Sequence, residues 1–169
     1  MNENKGFTLI ELSVVIFLLG LFLLVAVPRF KEITEINIKS ASRRLSAVIR
    51  YLYSEAAFKK RVYRLTFDID RNEYRVEVVE GNEFVVPKDP MLQKIWKLPK
   101  GVYFKDVITQ RSFGKTLKGS DDFILFFPTG FVEPAVIHLE TENGINYTIA
   151  TKPYTGGTIV YDRYVEFVR

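Results

Sequence analysis

The side chain with the clearest chemical question is Glu11. Between Phe7 and Val27 it is the only charged residue in an otherwise apolar run. A carboxylate in apolar surroundings is costly, and such residues are usually functional. The chemistry open to it is ion pairing with a cation brought from elsewhere. A second group, Asp68-x-Asp70-x-Asn72, has the opening spacing of a calcium loop. That pattern then needs Gly where Glu73 stands and Glu where Val79 stands, so a hairpin turn explains these residues better. The third is His138, the only histidine, in the alternating stretch Val136-Ile137-His138-Leu139 with Glu140 two residues on. One imidazole makes no histidine-rich metal site, and no activated serine or cysteine is suggested near it. It reads as a sheet-face residue. There are no cysteines, which excludes a disulfide framework and thiolate chemistry. Gly156-Gly157 reads as a turn and no phosphate-cradling loop occurs. No catalytic residue, metal ligand or cofactor is expected, and the chain is read as non-enzymatic.

Which elements position these residues follows from periodicity. The run from Phe7 to Val27 is long enough to cross a bilayer core as a helix. Gly20 and Pro28 are its weak points, and a proline inside a helix loses one backbone bond and usually kinks it. Beyond Pro28, residues Ile38, Ala41, Leu45, Val48, Leu52 and Ala56 recur at steps of three and four, with Ile49 widening the stripe. Lys39, Arg43, Arg44, Arg50, Glu55 and Lys59 lie between them, so this half is an amphipathic helix with one core-facing side. Lys59-Lys60-Arg61 falls at its end, where cations suit the helix dipole. From residue 62 onward the pattern is one of strands. Residues 62–67 and 73–79 alternate across a turn at 69–72, and Glu80-Gly81-Asn82 is another turn. Residues 87–90 are a loop, 102–108 a strand, 111–122 a polar flexible loop, and 123–127 a short apolar strand ending at Pro128-Thr129-Gly130. Residues 135–140 and 145–151 pair across Glu142-Asn143-Gly144. Residues 158–162 and 164–168 close the chain as strands. The fold class is therefore α+β, one long N-terminal helix laid on about seven or eight antiparallel strands, with aromatic residues at 14% helping to fill the core.

The stretch Lys5-Gly6-Phe7-Thr8-Leu9-Ile10-Glu11 resembles the processing and assembly motif of type IV pilins and of type II secretion pseudopilins. That resemblance implies that a prepilin peptidase cuts between Gly6 and Phe7, that Phe7 is N-methylated, and that Glu11 is the assembly glutamate. It also implies a pilin-like fold, with Pro28 as the family's helix kink. Physically, cleavage leaves a charged amine on Phe7, and the Glu11 carboxylate of one subunit can meet the Phe7 amine of its neighbour. Neither charge is then stranded; an unpaired buried charge costs several kcal/mol, on the order of 3–5. The competing readings fit less well. A signal peptide wants small residues before its cut, and Leu24-Val25-Ala26 before Val27-Pro28 is a poor match. An ordinary anchor needs no Glu11, and a core helix does not run apolar on every face for so long. A softer resemblance, carried by Leu98-Pro99-x-Gly101-Val102, Phe126-Phe127-Pro128-Thr129-Gly130 and Thr155-Gly156-Gly157, is to minor pseudopilins of the GspH and FimT type.

The expected layout is a leader over 1–6, a transmembrane and filament-core helix over 7–28, an amphipathic helix over 29–60 and a periplasmic β-rich domain over 61–169. The partners implied are prepilin peptidase, other pilin or pseudopilin subunits, an inner-membrane assembly platform and the membrane itself. Positive charges at the ends of the apolar run do not fix its orientation, since Lys5 precedes it while Arg29 and Lys31 follow it; the resemblance places the leader in the cytoplasm. The first reading is a type II secretion minor pseudopilin, and the alternative is a minor type IV pilin in pilus assembly or DNA uptake. Nucleic acid is the other partner weighed. Arg61, Arg64, Arg163 and Arg169 are candidate DNA contacts, with Arg75 and Lys152 adding charge and Tyr63, Tyr154 and Tyr164 available to stack. A net charge of +4 is modest, and solvated scatter is the favoured reading.

Overall fold

The computed structural model describes residues 8–111 and 122–166, with the side chains of 25–33 also outside the description. Helix α1 runs without interruption over Leu9–Lys59, 51 residues, which at about 1.5 Å per residue is ~77 Å long. Its backbone is helical through Pro28. Lys60, in the left-handed conformation at φ 54°, closes it and donates its backbone N–H to the Ala56 carbonyl. That cap stops the helix beside the cationic cluster, and the chain then enters the strands.

The strands are β1 (Tyr63–Asp68), β2 (Glu73–Glu80), β3 (Glu83–Val85), β4 (Trp96–Lys97), β5 (Val102–Thr109), β6 (Asp122–Phe127), β7 (Phe131–Val132), β8 (Ala135–Thr141), β9 (Asn146–Thr151) and β10 (Thr158–Tyr161). They form two antiparallel sheets, one ordered β3-β2-β1-β6-β7 with β4 also on β2, the other β10-β9-β8-β5. The expected hairpins β1–β2 and β8–β9 are present, with Tyr63 opposite Val78 and Val136 opposite Ala150. The count exceeds the seven or eight expected because β3, β4 and β7 are short additions of two or three residues, too short for alternation to reveal. The strand expected over 164–168 is not found in its described part. Residues 164–166 cross the outer face of the second sheet instead of pairing with an edge. The expected loop over 111–122 lies mostly outside the described residues; Arg111 forms a turn and Asp122 already begins β6.

The second half of α1 packs on both sheets, against β1 and β6 of the first and β5, β8, β9 and β10 of the second. Ile38, Leu45, Ile49, Leu52 and Ala56 are fully buried, Ala41 nearly so, and Val48 flanks them half-buried. Burying each Ile or Leu of this stripe contributes on the order of 2 kcal/mol. Facing it are Leu65, Phe67, Ile124 and Phe126 from the first sheet and Ile137, Leu139 and Ile149 from the second. Aromatic packing continues the core: the Phe67 and Phe104 rings meet edge-on at 5.5 Å, and Tyr74 stacks on Trp96 at 5.5 Å. Burial pushes the Tyr74 phenol up to about 12.

Polar bonds tie the helix to the head. The Tyr53 hydroxyl lies 3.0 Å from the Gly130 carbonyl and 2.8 Å from that of Tyr154, reaching two separate loops. The Asn37 amide donates to the Lys100 carbonyl at 3.2 Å.

Candidate functional site

The N-terminal half of α1 is built from residues that leave one group unanswered. Thr8 is the N-cap, with extended backbone angles, and its hydroxyl accepts from the Glu11 N–H at 3.3 Å. Ser13 turns its hydroxyl back onto the Ile10 carbonyl at 2.8 Å. The two hydroxyls are thus satisfied within the chain. Among the described residues, none meets the Glu11 carboxylate. Thr8-x-x-Glu11 is the spacing of a capping box, of which the threonine half is formed. That local signal was legible in the sequence and places Glu11 in the first turn, where the helix dipole favours a negative charge.

Around Glu11 the surface is apolar. Leu9, Ile10, Ile16, Phe17, Phe22 and Leu24 are each more than 60% exposed, on all sides of the helix. Among the described residues no helix is long and apolar enough to cross a membrane. The described apolar side chains stop at Leu24, short of the ~20 residues a crossing needs, while the sequence run continues to Val27. Gly6 and Phe7 lie outside the described residues, as does the side chain of Pro28.

Among the described residues, the candidate DNA contacts are spread over the two sheets rather than brought together. Arg61 pairs with Glu80 at 3.2 Å. Arg64 pairs with Glu77 at 2.7 Å while its guanidinium lies over Phe84 at 4.0 Å and Phe123 at 5.0 Å. Burial pushes the Glu77 carboxyl up, but hydrogen bonds from Arg64 and Thr66 and the charges of Arg64 and Arg75 outweigh it and hold it below the usual range. Arg163 is exposed beyond β10 in the second sheet, and Arg169 lies outside the described residues. Of the stacking candidates, Tyr63 is a core residue only 5% exposed, which removes it. It faces inward because β1 alternates with Leu65 and Phe67 on the same side. Tyr154 is 78% exposed, and Tyr164 lies over His138.

The calcium-like trio makes a turn and a tie. Asp68 accepts from the Arg71 N–H at 2.9 Å, and Asn72, at φ 56°, accepts from the Phe104 N–H at 2.9 Å. Among the described residues no group of three or more His, Asp or Glu side chains is placed to hold a metal.

His138 is on a sheet face as expected, yet completely buried, because residues 163–165 cover it. Its Nδ1 meets the Asp106 carboxylate, its Nε2 lies 2.9 Å from the Val165 carbonyl oxygen, and its ring stacks on Tyr164 at 4.0 Å. A register shift between Phe104 and Asp106 aims Asp106 at it. Ladder alternation alone would have turned Asp106 inward, and a bulge re-aims a side chain in this way. A second polar tie, also unread in the sequence, joins Arg111 to Glu133 through two 2.8 Å bonds, with the guanidinium 3.8 Å over the Phe123 ring.

Residues 1–27 match the prokaryotic N-terminal methylation motif. Over 52 residues the chain is 40% identical to the type IV narrow pilus major component PilA5 of Thermus thermophilus, a match covering 31% of this chain and 45% of that relative. Two solved structures of the minor pseudopilin EpsH from the type II secretion system of Vibrio cholerae share the fold. Their TM-scores are 0.57 and 0.60 at 11% and 9% identity, covering 73% and 78% of this chain and 95% and 97% of theirs. The chain thus joins a methylation-motif N-terminus to a pilin-like α+β head of the EpsH type, as the resemblance to pilins and pseudopilins implied.

Proposed function

We propose that this protein is a non-enzymatic filament subunit, a minor pseudopilin of a type II secretion pseudopilus. Prepilin peptidase cuts it between Gly6 and Phe7 and methylates Phe7. The helix from Phe7 holds it in the inner membrane, with the head periplasmic, until an assembly platform extracts it. Glu11 of one subunit then pairs with the Phe7 amine of the next. The observation that carries this reading is the first part of α1, residues 9–24, which is apolar on all faces, with the Thr8 and Ser13 hydroxyls satisfied internally and its one carboxylate, Glu11, unmet by any described residue. The EpsH-like head favours a secretion pseudopilus.

A second reading, a minor type IV pilin, is favoured by the likeness to the narrow-pilus component over 52 residues. DNA contact has less support, because Arg61 and Arg64 are spent on Glu80 and Glu77. Deleting the gene in its host separates the readings. Loss of secreted proteins with intact pili supports the pseudopilin. Loss of pili or of DNA uptake with normal secretion overturns it in favour of the pilin.

A further inference from the structure

The outer face of the second sheet carries a polar strip that the assembly function does not use. Lys105 and Asp106 of β5, His138 and Glu140 of β8, and Asn146 and Thr148 of β9 line it. Residues 163–166 cross over it. Thr148 Oγ1 donates to the Arg163 carbonyl at 2.6 Å and accepts from the Val165 N–H at 3.0 Å. His138 holds the same segment from below through the Val165 carbonyl, while Tyr164 lies flat on the imidazole.

We infer that His138 is a proton-dependent latch, holding the C-terminal segment 163–166 on the sheet only while both of its ring nitrogens carry hydrogen. Each ring nitrogen faces an acceptor: Nδ1 the Asp106 carboxylate, Nε2 the Val165 carbonyl oxygen. A neutral imidazole has one N–H and one lone pair. It can answer Asp106 or Val165, and whichever it does not answer meets a lone pair. The imidazolium answers both. Removing the proton leaves the Asp106 bond, with its charged acceptor, as the better one to keep, so the Val165 bond is lost.

The other charges around the ring agree with this assignment. Lys105 Nζ pairs with Glu140 at 3.1 Å and sits 5.4 Å from the centre of the Tyr164 ring. The Tyr164 phenol is pushed up by burial and by Asp106 and Glu166, and stays neutral wherever histidines titrate. Asp122, at the head of β6, adds negative charge felt by Asp106, Glu166 adds negative charge beside Tyr164, and Arg163 is exposed. The direction follows: the segment is fastened at lower pH and released as pH rises through the histidine transition. The loss of one charge-assisted bond is about a tenfold or larger drop in fastening.

His138 is the only histidine, so its two ring nitrogens give unambiguous NMR signals in the full-length chain in detergent micelles. A titration follows those signals together with hydrogen exchange of the Val165 amide, corrected for the intrinsic pH dependence of exchange. Expected are two protonated ring nitrogens with Val165 protected at low pH, and a drop in that protection of about tenfold or more in the same pH step that deprotonates the ring. In Asp106→Asn both transitions move together to lower pH. Val165 protection that stays level through the ring's titration overturns the latch. So does a singly protonated ring beneath a protected Val165, or an Asp106→Asn variant in which neither transition moves.

Discussion

Replacing Gly156 with alanine tests how the long helix is bolted to its head. Gly156 sits at φ 63°, where an L side chain costs roughly 1–2 kcal/mol. A Cβ there would also run into Cγ and Cδ1 of Tyr53 and come within 2.6 Å of its Cβ. Because Cβ is fixed to the helix backbone, no rotamer of Tyr53 relieves that contact. The loop or the helix must move by about 1 Å to regain ordinary separations near 3.5 Å. Moving the loop pulls the Tyr154 carbonyl from the Tyr53 hydroxyl, now 2.8 Å away, for about 1 kcal/mol more. Strain, displacement and the lost bond together put Gly156→Ala at roughly 3–5 kcal/mol, in the exceptional tail of single substitutions. Tyr53→Phe deletes only the hydroxyl and should cost about 1–2 kcal/mol. Urea unfolding of the full chain in detergent, followed by far-UV circular dichroism, gives both values. A Gly156→Ala variant within 1 kcal/mol of the parent, or one milder than Tyr53→Phe, would refute the reasoning.

Two carboxylates should show opposite pH behaviour. Glu77, held below the usual range, stabilises the fold above its unfolded pKa and loses that contribution as pH falls; Asp122, raised by burial, weakens the fold as pH rises through its folded pKa. Glu77→Gln should therefore lower stability at neutral pH and flatten the acid limb, whereas Asp122→Asn should raise stability at neutral pH and change little in acid, as urea midpoints at several pH values will report. In the Arg111–Glu133 pair the carboxylate side chain is 11% exposed and the guanidinium 41%. Arg111→Met strands the buried charge and should cost about 3 kcal/mol, more than Glu133→Gln by the same measurement. In the native host, Gly6→Ala should block cleavage, seen as an unshifted band. Glu11→Ala should be cleaved normally and yet recovered at least tenfold less in sheared filaments. Normal incorporation of that variant would remove the pairing argument.

Much of the fold was written in local patterns. The stripe from Ile38 to Ala56 named the core face of α1, because a helix repeats its burial every three or four residues whatever it packs on. The hairpins at 69–72 and 142–144 were announced by their turn residues, and Asn72 and Gly144 do take positive φ. What stayed hidden depended on distant partners. β3, β4 and β7 exist only because β2 and β6 offer free edges. The bulge before Asp106 and the crossing of residues 163–166 left no periodic trace, so His138 looked like an ordinary face residue. Arg64 seemed free for a ligand until β2 set Glu77 opposite it. At the N-terminus, the apolar run and the motif around Gly6-Phe7 single out Glu11, and the Thr8-x-x-Glu11 spacing also marks the helix start.

In the proposed function, the carboxylate of Glu11 is answered by a terminus created when the chain is cut. Mass spectrometry of the protein isolated from its own host membranes tests it most directly. The expected result is a mature chain whose first residue is N-methylphenylalanine at position 7. An intact Met1 start, or a chain released by a cut near residue 26, would contradict it.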